Sequence, residues 1–112
     1  MPTVDAVTRA AYRHFFSNDE MAVGAIKTLR ELGYSVPQDV SIVGFDNLFW
    51  CQVSEPALTT IHQPRFEIGQ QSFQLLNNKL NQIESLETNV ILPTEICIRE
   101  STAIANNKDS NQ

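Results

Sequence analysis

The apolar positions of the chain change their spacing twice between residues 13 and 46. The run "RHFF" is short and strand-like, whereas Met21 to Leu32 contain apolar residues spaced by three and four, the period of a helix. The run "VSIVGF", residues 40 to 45, is almost continuously apolar, as in a strand that is covered on both faces. This order predicts a βαβ unit with two parallel strands.

Capping residues mark both ends of the predicted helix. Ser17 is followed three residues later by Glu20, which matches a capping box, where each side chain accepts a hydrogen bond from the other residue's backbone N–H. Gly33 comes directly after the periodic residues, where a glycine readily takes the left-handed conformation that ends a helix. The sequence therefore predicts a helix that starts at Ser17 and stops at Gly33.

The second half of the chain again alternates between strand-like and helical patterns. "NLFWCQVSEP" predicts a loop or short helix closed by Pro56, and "LTTIHQ" has the β-branched residues of a strand that ends before Pro64. A helix is expected over residues 65–83, and "NVILPTEICIRES" predicts two short extended pieces broken by Pro93. The class is therefore α/β. One face of the second helix forms an apolar stripe that needs an apolar partner: Gly69, Phe73, Leu76, Leu80 and Ile83.

Composition limits the chain to one small domain with a modest core, because it has 112 residues of which 42% are hydrophobic. The net charge of −5 and the scattered Lys and Arg residues argue against a free-standing nucleic-acid-binding protein. Cys51 and Cys97 match no metal spacing and are expected to be reduced structural thiols of a cytoplasmic protein. The N-terminus resembles neither a signal peptide nor a membrane span, and residues 104–112 are expected to form a disordered tail.

Polar side chains follow each of the three predicted strands. Asn18 and Asp19 follow the first strand, Asp46 and Asn47 the second, and Gln63 ends the third. In open parallel sheets, ligands bind beyond the carboxyl ends of the strands. A carboxylate and two amides at one edge suit a polyhydroxylated ligand. The alternative is that Asn18 and Asp46 only cap a helix or a turn.

Catalysis and metal binding are not expected from the remaining polar residues. Asp19 and Glu20 lie in a predicted first helical turn, where acids favour the helix dipole, so Asp19 is expected to affect helix stability more than ligand binding. Neither His14 nor His62 has a nucleophile spaced as in a catalytic triad. Trp50 follows the second strand and either stacks on a ligand or fills a core or subunit interface. No cofactor is expected.

Three blocks of sequence point to a known family. "FFSNDEMAVGAIKTLRELGYSVPQDVSIVGFDN", "PALTTIHQPRFEIGQQSFQLL" and "LPTEICIRES" closely resemble the lactose-repressor/galactose-repressor family of bacterial transcription regulators, in the correct order over residues 13–103. "TTIHQPRFEIG" is most similar to the purine- and cytidine-repressor branches. The resemblance implies a helix-turn-helix head, a hinge helix and a two-lobed effector domain with the periplasmic-binding-protein fold. This chain matches only the C-terminal part, so a partial, Rossmann-like lobe with parallel strands is expected.

The resemblance also implies which residues contact the effector. By the family pattern, Asn18 in "SND", Asp46 in "GFD" and Gln63 in "HQP" fall on effector-contacting positions, and Phe16 is a further candidate. Asn47 stands where many members have a second acid, a departure that several branches share. The effector itself is expected to be a sugar, a nucleoside or a purine, bound by the intact parent protein.

The resemblance further implies a homodimer and a division between two lobes. Val23, Trp50 and Ser54 fall near the family's dimer interface. Residues 1–103 would be the C-terminal portion of the effector-binding and dimerisation domain, in which the helix at 65–83 normally belongs to the other lobe.

The expected function is therefore the effector-binding and dimerisation region of a transcriptional repressor whose DNA-binding head lies outside this segment. Direct contact of this segment with DNA or a membrane is not expected. One alternative is part of a periplasmic sugar-binding transport protein, which the "RES" ending and the "VPxDVS" loop disfavour. Another alternative is a stand-alone partner of an intact repressor.

Overall fold

The computed structural model describes residues 12–84 and 89–104. The chain divides into two compact units, one built from residues up to His62 and from Ile96 onward, the other from Gln63–Glu95. Within the described residues, no helix is sufficiently long and apolar to cross a membrane.

The first unit contains the predicted βαβ arrangement and extends it by a third strand. Its elements in chain order are β1 (Tyr12–Phe15), α1 (Asp19–Glu31), β2 (Val40–Asp46), α2 (Trp50–Val53) and β3 (Thr59–His62). Strands β1 and β2 pair in parallel with Phe15 opposite Val43, and β2 and β3 pair in parallel with Asp46 opposite His62. The parallel strand pair and the α/β class predicted from the sequence are thus confirmed.

A short fourth strand, β4 (Glu95–Cys97), completes a sheet with the order β1-β2-β3-β4 in the described part of the chain. Its first residue is the last residue of the second unit. The two extended pieces predicted around Pro93 are therefore reduced to one strand, which begins two residues after that proline.

Helix α1 begins one residue later than the predicted capping box requires. Its N-cap is Asn18, whose Oδ1 accepts a hydrogen bond of 2.9 Å from the backbone N–H of Met21, while Ser17 is exposed. The capping-box prediction is therefore wrong, because the side chain of Asn18 already satisfies the third amide of the helix. The other end agrees with the prediction, since Gly33 has a φ of 90° directly after the C-cap Leu32.

The core of the first unit is small and lies where α1 packs against β2 and α2. It consists of buried side chains from both helices, from β2 and from the residue before β3: Ala22, Ile26, Ile42, Cys51 and Leu58. Strand β1 is exposed along its whole length. The most buried part of the unit is therefore β2 and the residues that immediately adjoin it.

The "RES" ending joins the two inner strands of the first unit. The buried Ser101 Oγ donates to the carbonyl of Ile42 over 2.6 Å and accepts from the N–H of Thr59 over 2.8 Å. Ile42 N–H in turn donates to the carbonyl of Ser101 over 2.9 Å. Ser101 therefore satisfies backbone groups just before the β2–β3 pairing begins at Val43 and Thr59.

The second unit consists mainly of α3 (Arg65–Leu80), which ends three residues before the predicted limit. No side chain of this helix is buried, and Phe73 and Leu80 of the predicted stripe are 68% and 73% exposed. That the stripe packs on another lobe stays a prediction. Of the tail predicted to be disordered, residues 105–112 lie outside the described residues.

Candidate functional site

Three parallel strands of the first unit end at the same edge of the sheet. Strand β1 ends at Phe15, β2 at Asp46 and β3 at His62, and Asp46 and His62 are register partners. Asn18 follows β1 by three residues. The fold therefore has the polar edge predicted from the sequence, at the position where open parallel sheets bind their ligands.

The chain leaves β2 through a backbone conformation that side chains rarely adopt. Asp46 has a φ of 122° and Asn47 a φ of 62°. For residues other than glycine such angles are uncommon and cost of order 1–3 kcal/mol each, and they persist only where surrounding contacts hold them. Two consecutive residues of this kind at the end of a central strand mark the turn as a site whose geometry is imposed.

Hydrogen bonds from two other elements hold this turn. The N–H of Leu48 donates to Asp19 Oδ2 over 2.7 Å, and the N–H of Asn47 points to Thr60 Oγ1 at 3.4 Å. The hydroxyl of Thr60 itself donates to Asp19 Oδ1 over 2.6 Å. The carboxylate of Asp19 thus connects α1, the turn after β2 and strand β3.

The side chain of Asp19 is buried, unlike most acidic side chains in the first turn of a helix. Asp19 lies in the first turn of α1 as predicted, but its side chain is completely buried, whereas its neighbour Glu20 is exposed. The predicted position in the first turn is therefore confirmed, and the structure adds a second role, because a buried carboxylate needs hydrogen-bond donors and here has them from Leu48 and Thr60.

Gly44 makes space for this carboxylate. A Cβ atom on Gly44 would overlap Asp19 Oδ1 and would lie 2.9 Å from Leu58 Cδ2. Glycine weakens the interior of a strand and often marks a close approach of another group. The glycine of "VGFD" is thus explained by the carboxylate that lies against it.

The buried thiol of Cys51 donates a hydrogen bond to the carboxylate of Asp19. The pKa of the Cys51 thiol is raised to about 12. Burial is the largest cause, followed by the hydrogen bond to Asp19 and the charge of that carboxylate. The thiol is therefore protonated at neutral pH and acts as a small core side chain with a weak donor. Both cysteines are free, as predicted.

The side chain of Asn47 connects the turn to the C-terminal segment and to β3. Its Oδ1 accepts from Arg99 Nη2 over 2.6 Å, and its Nδ2 lies 3.1 Å from His62 Nδ1. A guanidinium only donates, which fixes the orientation of the amide and requires His62 Nδ1 to accept. In this arrangement the ring proton of His62 lies on Nε2. Arg99 also donates through Nη1 to the carbonyl of Leu58 over 2.9 Å.

The predicted ligand-contacting residues have different surroundings. Asn18 caps α1 through its Oδ1, and its Nδ2 is the part of the amide that the cap does not use, so the cap is shown while a contact with a ligand stays a prediction. Phe16 is half-buried, packs against the core and lies 4.4 Å from the ring of His14. Gln63 is the first residue of the second unit and lines a cavity of about 250 Å³ there. Their contacts with an effector stay predictions.

The predicted interface residues also differ among themselves. Trp50 is 54% exposed and forms an edge-to-face contact with the exposed Phe49 at 6.3 Å. Val23 packs against the core, and Ser54 Oγ donates to the carbonyl of Pro56 over 2.9 Å. Only Trp50 of the three predicted residues therefore presents a large apolar surface.

Sequence patterns did not identify Asp19, Thr60, His62 and Arg99 as parts of one network. Their connections span up to 52 residues of chain, as between Asn47 and Arg99. The glycine inside the otherwise large-residue run of β2 is the signal that could have indicated a polar group against that strand. Among the described residues, no group of His, Cys, Asp and Glu could hold a metal ion.

The chain belongs to the family of periplasmic binding protein-like domains, whose model matches residues 6–102. Its relatives are transcriptional regulators of the lactose-repressor type, which confirms the resemblance. It is 43% identical over 89 residues to the NTD biosynthesis operon regulator NtdR of Bacillus subtilis, covering 79% of this chain and 27% of that protein. It is 40% identical over 88 residues to the transcriptional repressor CytR of Escherichia coli K12, covering 79% and 26%.

Solved structures give the same result for the fold. The lac repressor dimer bound to operator and the anti-inducer ONPF has a TM-score of 0.77 at 33% identity, covering 85% of this chain and 33% of that one. A LacI family regulator from Enterococcus faecalis with bound ribose has a TM-score of 0.75 at 39% identity, covering 82% and 34%. The chain spans about a quarter of the length of the curated relatives it matches, 26–27% in the two given above.

Proposed function

We propose that this chain is the part of a bacterial transcriptional regulator that binds a polyhydroxylated small molecule and forms a homodimer. Asp46 carries the proposal, because it is the last residue of β2, at the carboxyl edge of the parallel sheet, in a turn whose conformation is imposed by its neighbours. DNA binding belongs to a head domain outside this segment, so the ligand would act on DNA affinity from a distance.

The chemistry of the edge favours hydroxyl groups as the ligand's polar atoms. An ionised carboxylate only accepts hydrogen bonds and can accept from two neighbouring hydroxyls, as sugars and nucleosides present them. Asn18 Nδ2 supplies donors at the end of the adjacent strand, since its Oδ1 is used by the helix cap. Related structures were solved with cellobiose, ribose and sucrose. These observations support a sugar or nucleoside over a purely aromatic ligand.

The relatives also support a regulator over an enzyme or a transport protein. RegA, PurR and CytR are named as transcriptional regulators or repressors, and NtdR is named as an operon regulator. A regulator acts on DNA in the cytoplasm, and we place the parent protein there. Negative net charge agrees with a segment that does not itself contact DNA phosphates.

Dimerisation through α2 is supported by its exposed apolar side chains. Phe49, Trp50 and Val53 are all exposed, which is unusual for three apolar residues in five consecutive positions. Trp is enriched among the residues that dominate protein interfaces. Val23 lies on α1 and Ser54 directly after α2, and both would lie at the margin of this dimer interface. Two similar structures are of lac repressor dimers.

Calorimetric titration of the full-length protein with ribose, sucrose, cellobiose, cytidine and adenine tests the proposed ligand class. Adenine is the control within the panel, because it has a purine ring but no hydroxyl groups. Binding of a sugar or of cytidine, with weaker or undetectable binding of adenine, supports the proposal. A folded protein that binds none of the five, or that binds adenine alone, overturns it.

A further inference from the structure

Asp19 makes two short polar contacts at the sheet edge, although it lies at the start of α1 and not at the end of β2. Its two carboxylate oxygens accept different donors, with Leu48 N–H on Oδ2 at 2.7 Å and the Thr60 hydroxyl on Oδ1 at 2.6 Å. The carboxylate and the Thr60 hydroxyl are removed from bulk water, since Asp19 and Thr60 are completely buried, whereas Leu48 is partly buried. Hydrogen bonds to a charged acceptor in such surroundings are stronger than neutral ones.

The bond to Leu48 acts on the turn that contains Asp46. Leu48 is the first residue after the two positive-φ residues, so fixing its N–H fixes the exit of the turn. The amide of Asn47 is held less firmly, with 3.4 Å to Thr60 Oγ1. Thr60 is itself oriented by Asp19, so both backbone contacts of the turn depend on the same carboxylate.

A charged carboxylate fits this position better than an amide of equal size. The two donors approach opposite oxygens, and an asparagine has only one oxygen to accept them. Its NH₂ group would face either the N–H of Leu48 or the hydroxyl of Thr60. Gly44 also supports the assignment, because the strand lacks a side chain where Asp19 Oδ1 lies.

We propose that Asp19 is a positioning residue, which holds the Asp46–Asn47 turn in its positive-φ conformation and thereby sets the affinity of the sheet edge for its ligand. The first half, that Asp19 holds the turn, stands on the contacts alone. The second half, that Asp19 thereby sets the affinity for the ligand, rests on the proposed function. Each half is tested by its own measurement.

Hydrogen exchange followed by mass spectrometry on the full-length protein tests the first half without any ligand. Asp19→Asn is compared with Glu20→Gln, which removes a neighbouring but exposed charge from the same helical turn. The expected result is exchange about tenfold or more faster at Asn47 and Leu48 in Asp19→Asn, with little change in peptides from the middle of β2. Unchanged exchange at the turn, or an equal increase throughout the first unit, overturns the positioning role.

Thr60→Val provides a second variant in case Asp19→Asn does not fold. It removes the hydroxyl that links Asp19 to the amide of Asn47 but leaves the carboxylate and its bond to Leu48. Exchange should then accelerate at Asn47 more than at Leu48. The reverse order, or no change at either amide, contradicts the proposed arrangement.

A double-mutant cycle tests the second half, with the compound of the five-member panel that binds the wild-type protein. Asp19→Asn is expected to weaken binding on the order of tenfold in the wild-type background and to add almost nothing once Asp46→Asn is present. A general loss of folded protein would instead lower affinity by the same factor in both backgrounds, and that result overturns the coupling. If no panel compound binds, the proposed function fails, while the exchange measurement still decides the positioning role.

Discussion

Arg99 Nη2 donates to Asn47 Oδ1 over 2.6 Å, which joins the "RES" segment to the turn after β2. The same guanidinium donates to the carbonyl of Leu58, the residue before β3, so Arg99 connects that residue with the candidate ligand edge. Because Arg can only donate, it dictates how the Asn47 amide is oriented and therefore which nitrogen of His62 carries a proton. Arg99, 52 residues after Asn47 in the chain, thus sets the orientation of the Asn47 amide and the position of the proton on the His62 ring.

Asn47→Asp should change the tautomer of His62. A carboxylate can still accept from Arg99, but it offers no donor to His62 Nδ1, which now accepts from Asn47 Nδ2 at 3.1 Å. The imidazole must then carry a proton on Nδ1 to keep a hydrogen bond. Imidazole ¹⁵N chemical shifts should show Nε2–H in the wild type and a protonated Nδ1 in the variant. The ring of His14 serves as the internal control, and an unchanged His62 would contradict the network.

Gly44→Ala should destabilise the protein by about 1–3 kcal/mol, because its Cβ would overlap Asp19 Oδ1 and crowd Leu58. Asp19 and Leu58 are both completely buried, so a shift of either side chain disturbs close-packed neighbours. The measurement is the free energy of unfolding from urea titration. Exchange at the Leu48 amide should also accelerate, since Asp19 must shift.

Gly24→Ala is the matched control for that substitution. Gly24 lies in the interior of α1, and a Cβ there meets nothing within 4 Å. Alanine should therefore stabilise the protein by roughly 0.5–1 kcal/mol, since glycine costs that much within a helix. Equal effects of the two substitutions would show that the contact between Gly44 and Asp19 has no energetic consequence.

Much of the fold was predictable because it follows from local periodicity. The change from apolar runs to three- and four-residue spacing gives β1, α1 and β2 in order, and the continuous run up to Phe45 leads Asp46 to the strand end. The helix start was displaced by one residue because Ser17 and Asn18 are both good caps. Only the path of the chain after β1 decides between them.

The network behind the edge was not predictable from local pattern. A first-turn acid usually lies in solvent, and nothing near Asp19 in the chain indicates burial. Its donors come from Leu48 and Thr60, which are 29 and 41 residues away. Such contacts exist only after the strands have aligned in register. The glycine in β2 was a local signal of the close approach, but its partner was not identifiable from sequence.

Stability should fall at high pH partly through Cys51. Because the pKa of its thiol is raised from 9.0 to about 12 in the folded protein, the folded state holds this proton more tightly than the unfolded state. The resulting stabilisation is fully present below pH 9.0 and is lost as the pH rises from there towards about 12. Urea midpoints should therefore drop more steeply over this range in the wild type than in Cys51→Ser, whose hydroxyl does not titrate.

Cys97→Ser is the control for the effect of Cys51, since the Cys97 side chain is only partly buried. It should retain the steep pH dependence of the wild type. Iodoacetamide at neutral pH should likewise modify Cys97 and leave Cys51 unmodified until the protein unfolds. Parallel pH profiles for wild type and Cys51→Ser would contradict the assigned role of the thiol.

Trp50→Arg should weaken dimerisation of the full-length protein. If the dimer forms through α2 as proposed, a charge in place of the exposed tryptophan removes apolar contact and buries a guanidinium, which should raise the dimer dissociation constant on the order of 30-fold or more. Tyr12→Arg is the matched control, because Tyr12 is 55% exposed and Trp50 54%. Sedimentation velocity over a concentration series measures both. Equal dissociation constants for the two variants would exclude α2 from the interface.

Asp46→Asn should weaken ligand binding more than any exposed charge removal in the first unit. Asp46 ends a central parallel strand and lies in a turn that is held through contacts of Asp19 with Leu48 and of Arg99 with Asn47, so its backbone is fixed before the ligand arrives. Hydrogen bonds to a charged acceptor contribute about 1.5–3 kcal/mol, so removing one corresponds to about a 10- to 150-fold loss of affinity. Titration calorimetry with the panel compound that binds the wild type gives the value directly.

Glu20→Gln is the control for this loss, because it removes an acid of equal charge from the exposed surface of α1. Its affinity should remain within about twofold of the wild type, since an exposed charge is screened by solvent. The melting temperatures of both variants should stay close to that of the wild type, so that a loss of affinity reports on contact rather than on unfolding. If Asp46→Asn binds as tightly as Glu20→Gln, the carboxylate is structural, and the ligand must be held by other groups of the edge.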